Sequence, residues 1–137
     1  MEEGGVEKNL INICNGISQN NQIFLITANR NKKKKFDSKV KFISSTKNFF
    51  NSQSRIIKSL LCVYLLIKNH DNNYKSVIVS FQSNVIAIII SKILKYKVII
   101  RSNQSPNNYA KNWFKRKIIT FFFKMADKIV VNSNDFR

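Results

Sequence analysis

Apolar residues recur along this chain in two alternating rhythms. Val6, Leu10, Ile13, Cys14 and Ile17 fall at helical spacing, with Glu7, Lys8, Asn12 and Asn15 on the opposite side. That pattern predicts a first helix ending near Gln19, where Asn20 and Asn21 favour a turn. Ile23 to Thr27 reads as a short apolar strand, followed by a polar loop from Asn29 to Lys35. Lys39 to Ser44 alternates, with Val40 and Phe42 on one face, as an edge strand does. Asn48 to about Asn69 predicts a long helix carrying Phe49, Ile56, Ile57, Leu60, Leu61 and Tyr64. The second half is more regular. Ser76 to Phe81 predicts a strand, Ser83 to Leu94 an apolar helix and Lys97 to Ile100 another strand. A polar loop from Ser102 to about Asn108 leads to a helix whose Phe114, Ile118, Phe121, Phe122 and Met125 share one buried face. Asp127 to Val131 reads as a last strand, and Ser133 to Arg137 as the first turn of a further helix. Apolar strands separated by helices imply a parallel sheet with helices on both faces. The predicted fold class is therefore α/β, a Rossmann-like open parallel sheet.

The 137 residues suffice for one core, and 44% hydrophobic with 23% charged residues is globular rather than disordered composition. With 24 basic against 7 acidic residues the formal net charge is +17, which invites a nucleic-acid partner. Lys, Asn, Ile and Phe make up about half of the chain, however, and all four have codons rich in A and T. Codon bias can thus supply much of this basicity. Five of the basic residues are Arg, the type preferred for bidentate phosphate and base contacts. Charge alone names no partner. Cys14 and Cys62 lie among apolar neighbours without a CxxC or Cys/His cluster, which favours buried thiols in a reducing cytosol. His70, the one histidine, stands beside Asp71 where the long helix stops and reads as a cap rather than a base. The acidic start is no secretory signal, and lysines interrupt every apolar run before it reaches a membrane-spanning length.

Three segments carry candidate chemistry. Gly4 and Gly5 open the first helix, where free N–H groups and the helix dipole favour a phosphate; a structural turn is the competing reading. Arg101, Ser102 and Asn103 follow a buried strand, at the strand end where open α/β sheets bind ligands. Gln82 and Ser133 follow two other strands and would face the same rim. Ser83 and Ser133 there also read as helix N-caps. The third segment is basic: Lys32 to Lys35, and the Lys111, Lys115, Arg116, Lys117 face of the late helix. With Trp113, that helix face suits an anionic membrane surface or a nucleic-acid backbone. Its phenylalanines are expected to follow the buried stripe, so nucleic acid is disfavoured as a partner.

Taken in order, these segments resemble the N-terminal domain of the family 4 glycosyltransferases, enzymes of the GT-B fold. Gly4-Gly5-Val6-Glu7-Lys8 is similar to that family's opening of the first helix, and Ile23 to Thr27 to its second strand. Val79-Ser80-Phe81, Ile99 to Pro106 and Ala126 to Ser133 are similar to later segments of the same half. The resemblance implies transfer of a sugar, with retention, from a nucleotide-sugar donor to a glycan or lipid-linked acceptor. It implies no cofactor and no catalytic metal. Gly4 and Gly5 would lie along the donor diphosphate. Arg101, Ser102, Asn103, Gln82 and Ser133 would line the acceptor cleft. Relatives carry His or Glu in the Arg101 to Asn103 stretch and this chain has neither, so no catalytic residue is assigned.

The chain opens on Gly-Gly without a preceding strand and ends one turn into a helix. Residues 1–137 are thus expected to be one partial domain, with the first strand and the C-terminal donor-binding domain absent. Such a piece is expected to be marginally stable and inactive alone, as a truncated or decayed gene product would be. Its expected location is cytoplasmic, with peripheral attachment to the inner face of the membrane. The alternative function is a small basic α/β binding module, non-catalytic, for nucleic acid or an anionic membrane surface.

Overall fold

A computed structural model describes residues 5–28, 35–45, 54–70, 76–102 and 112–131. The fold is α/β with parallel strands, consistent with a Rossmann-like open arrangement. The strands form two small sheets, one in each of two compact units, Met1–His70 and Asp71–Arg137.

In the first unit, α1 (Gly5–Ile17) leads to β1 (Ile23–Ile26), which pairs in parallel with β2 (Val40–Ile43). Thr27 prolongs the pairing by donating to the Ile43 carbonyl at 3.1 Å. Cys14, Val40 and Leu65 are its buried hydrophobics among the described residues, whereas Ile13 and Ile17 of the predicted stripe stay half exposed. Asn15, expected on the polar side of α1, instead fastens the turn before β2. Its Oδ1 accepts from the Asp37 N–H at 2.8 Å and its Nδ2 donates to the Lys35 carbonyl at 3.4 Å. Helix α2 is described over Arg55–Lys68, capped by Ser54 at one end and by Asn69, not His70, at the other. The Asn69 Nδ2 donates to the Leu65 carbonyl at 2.7 Å, satisfying an end carbonyl that the helix leaves open.

Among the described residues the second unit runs β–α–β–α–β: β3 (Val77–Ser80), α3 (Asn84–Ile93), β4 (Lys97–Ser102), α4 (Trp113–Lys124) and β5 (Lys128–Val131). Strand order is β3-β4-β5, all parallel, with Val77 opposite Lys97 and Ile99 opposite Lys128. Ile88, Val98, Ile100 and Phe123 form its core, with Ile119 and Phe122 packed against it. Both helices therefore cover the sheet face that carries Val98 and Ile100. On the alternate face Val77, Val79 and Val130 are half exposed.

Helix α3 ends in a Schellman motif: Tyr96 N–H bonds the Ser91 carbonyl at 2.8 Å and Lys95 N–H the Lys92 carbonyl at 3.3 Å. Lys95 accordingly takes a left-handed φ of 57°. Asp127 joins the outer strand to the central one. Its N–H donates to the Val98 carbonyl at 2.9 Å and its Oδ2 accepts from the Val98 N–H at 2.8 Å.

Two expectations are corrected here. Strand β4 runs through Ser102, so Arg101 and Ser102 belong to a strand and not to a loop; both are buried. Helix α4 also turns a different side inward. Phe114 and Phe121, expected in the core, are each 62% exposed, while Phe123 is buried. The lysines decide this orientation. At about 100° per residue, Lys117 and Lys124 fall opposite the arc of Ile119, Phe122 and Phe123. Burying that arc holds both ammonium groups furthest from the core, which avoids desolvating them.

Candidate functional site

The polar end of the β3–α3–β4 segment is built from residues that a buried sheet ordinarily replaces with apolar ones. Ser80, Asn84, Arg101 and Ser102 are all buried. Asn84, in the first turn of α3, donates through Nδ2 to the Arg101 carbonyl at 2.9 Å, and its Oδ1 accepts from the Ser80 hydroxyl at 2.9 Å. The same hydroxyl lies 2.8 Å from the Gln82 carbonyl, so its single proton is shared between two acceptors. One amide thus ties the carboxyl ends of β3 and β4 to the start of α3.

Arg101 sits at the second-last position of β4, and its guanidinium lies over the Phe81 ring, 5.6 Å from the centroid. A buried cation costs free energy, and the π face of Phe81 offsets part of it. Ser83 occupies the N-cap of α3 but does not cap it with its side chain, contrary to the expected role. Its φ of 56° turns the backbone into the left-handed region, so that the chain passes from β3 into α3 over three residues.

Of the sequence-derived site residues, the Gln82 carbonyl meets the Ser80 hydroxyl and the Arg101 carbonyl meets the Asn84 amide, so the two are linked only through Ser80 and Asn84; Ser102 follows Arg101 in β4. Gly5 is the first residue of α1, in the other unit. Beyond its chain neighbours and its own helix backbone, no heavy atom lies within 4 Å of the position a Cβ would take there, so tertiary packing does not require a glycine at that position. Gly4, Asn103 and Ser133 lie outside the described residues. Phe81 and Asn84 were legible from sequence only as members of the polar stretch Ser80 to Asn84 after the strand; the bonds of Asn84 and the contact of Phe81 with Arg101 were not.

A second candidate surface lies on α4. Trp113 is 60% exposed, and Lys117 Nζ stands 4.0 Å from the centre of its ring. Trp113, Arg116, Lys117, Thr120, Phe121 and Lys124 share one side of the helix. The Asn112 side chain starts the helix by accepting from the Phe114 N–H at 2.9 Å.

Cys14 is buried and Cys62 partly so, and neither forms a disulfide. Burial pushes the Cys14 thiol above its ordinary pKa. Burial also raises that of Cys62, against a smaller opposing effect from a backbone hydrogen bond with Ala28. Among the described residues no group of three or more His, Cys, Asp or Glu side chains is gathered to hold a metal ion, and no helix is long and apolar enough to cross a membrane. In comparisons with known proteins, no family model matches the chain, and neither a curated protein nor a solved structure does.

Proposed function

We propose that this chain is the acceptor-side domain of a nucleotide-sugar-dependent glycosyltransferase that acts on a glycan or lipid-linked acceptor. The observation that carries this reading is the polar cluster at the carboxyl ends of β3 and β4. Open parallel sheets bind ligands outside those strand ends. Arg101 and Ser102 stand at that strand end, a cation and a hydroxyl whose chemistry would suit a polyhydroxylated substrate reaching these buried groups. The open space over Gly5 at the N-terminus of α1 is compatible with close approach of a diphosphate. Transfer in this reading needs a donor-binding domain besides these residues, so the test is binding and not turnover.

Amide NMR spectra of the 137-residue chain, titrated with nucleoside diphosphates and with lipid-linked or free oligosaccharides, make that test. The expected result is a saturable shift of amides at Gly5 to Glu7 with the diphosphate, and around Ser102 with an acceptor. Absence of both at millimolar ligand overturns the reading.

The alternative, a basic α/β module without catalysis, is favoured by the exposed aromatic and cationic face of α4. It gains if the titrations are silent and that face binds an anionic surface.

A further inference from the structure

We infer that the outward face of α4 is a docking surface for an anionic lipid bilayer. This inference stands apart from the glycosyltransferase reading and does not need it.

The twelve residues Trp113 to Lys124 contain four cations and no acidic residue. Trp113, Phe114 and Phe121 are 60 to 62% exposed, and Ile118 is 40% exposed. On a helix with about 100° between residues these four occupy one arc. Lys117 and Lys124 fall within it and Arg116 lies on one flank, while Lys115, in the first turn, falls on the opposite side between Phe122 and Ile119 and is exposed. The opposite arc is already committed to the core through Ile119, Phe122 and Phe123. The helix cannot roll to bury its exposed rings without exposing Phe123, so the outward face is fixed by packing within the unit.

An interfacial helix needs bulky apolar side chains to enter the acyl boundary and cations to meet the headgroups. This face has both, and their placement is complementary to a negatively charged surface. Lys117 packs against Trp113 with its ammonium 4.0 Å from the ring centre. That pose holds a cation at the level of the indole, where an interfacial tryptophan meets the headgroups. Nucleic acid accounts for the face less well. The helix has one arginine, and exposed Phe114, Ile118 and Phe121 offer neither a phosphate nor a base edge a hydrogen bond.

Trp113 is the sole tryptophan of the chain, so its fluorescence reports on this face alone. The 137-residue chain is mixed with vesicles of phosphatidylcholine, or of phosphatidylcholine with about a third phosphatidylglycerol, at low salt and at about 0.5 M salt. A blue shift with the anionic vesicles at low salt, abolished by salt and absent with neutral vesicles, is the expected result. The double variant Lys117→Glu/Lys124→Glu should bind at least about tenfold more weakly. The charge-matched control Lys8→Glu/Lys68→Glu, at exposed sites in the other unit, should bind within about twofold of the parent. Phe121→Ser should reduce the blue shift while circular dichroism stays unchanged.

Three results would overturn the inference. One is no shift with anionic vesicles. Another is equal loss in both double variants, which would make the binding a property of net charge. The third is displacement from vesicles by an oligonucleotide at equal phosphate concentration, with dependence on the same lysines.

Discussion

Asn84 joins three segments through one amide. Asn84→Ala would remove the bonds to the Arg101 carbonyl and from the Ser80 hydroxyl. The expected loss is about 1–3 kcal/mol, read as a lower urea midpoint. Lys95 carries the opposite lesson. It holds a left-handed φ of 57° where glycine has no steric penalty, so Lys95→Gly should raise stability by about 0.5–1 kcal/mol. Asp127 links folding to acidity. The Val98 N–H holds its carboxylate below the ordinary pKa, with Lys92 at 3.5 Å adding to the effect. A depressed folded-state pKa means that its contribution is complete above the unfolded value. That contribution is lost as pH falls through the folded value. Stability of the Asp71–Arg137 unit should therefore decline in the acid range below about pH 4, and Asp127→Asn should flatten that decline. Urea midpoints across that range give the slope.

At the scale of elements, α4 shows why apolar content does not identify the buried side of a helix. Ile118, Ile119, Phe121, Phe122 and Phe123, interrupted only by Thr120, give two candidate stripes, and the one opposite Lys117 and Lys124 is the one that packs. The two stripes predict opposite outcomes for neighbouring residues. Phe123→Ala should cost about 3–5 kcal/mol, since the ring is buried in the core, whereas Phe121→Ala should change stability by less than about 0.5 kcal/mol. Thermal melts of the two variants separate these outcomes. Strand β4 extends two residues beyond its apolar run. Arg101 and Ser102 complete the ladder to Val130 and Val131, and parallel hydrogen bonding does not depend on side-chain polarity.

For the molecule as a whole, the described hydrophobic core is small in each unit. The second unit rests on Ile88, Ile90, Val98, Ile100 and Phe123, and the first on Cys14, Val40 and Leu65. So few buried side chains offset chain entropy narrowly. Unfolding of the isolated chain in urea should accordingly give less than about 5 kcal/mol; a cooperative transition well above that value would contradict this account.

The alternation of apolar strands and helices was legible from sequence alone, because parallel strands are written as continuous β-branched runs such as Val77 to Val79 and Val98 to Ile100, even though Val77 and Val79 stay half exposed. The rim at the end of β3 and β4 was legible too, since polar residues directly after such runs fall at the carboxyl end of the sheet. Which of those polar residues meet was not. The bonds from Asn84 to Arg101 and Ser80, and the Arg101–Phe81 stacking, join positions brought together by strand register and by the turn at Ser83. The inward side of α4 was likewise settled by tertiary packing. One-dimensional periodicity ranks apolar stripes by content, whereas folding selects the stripe that keeps the lysines in water.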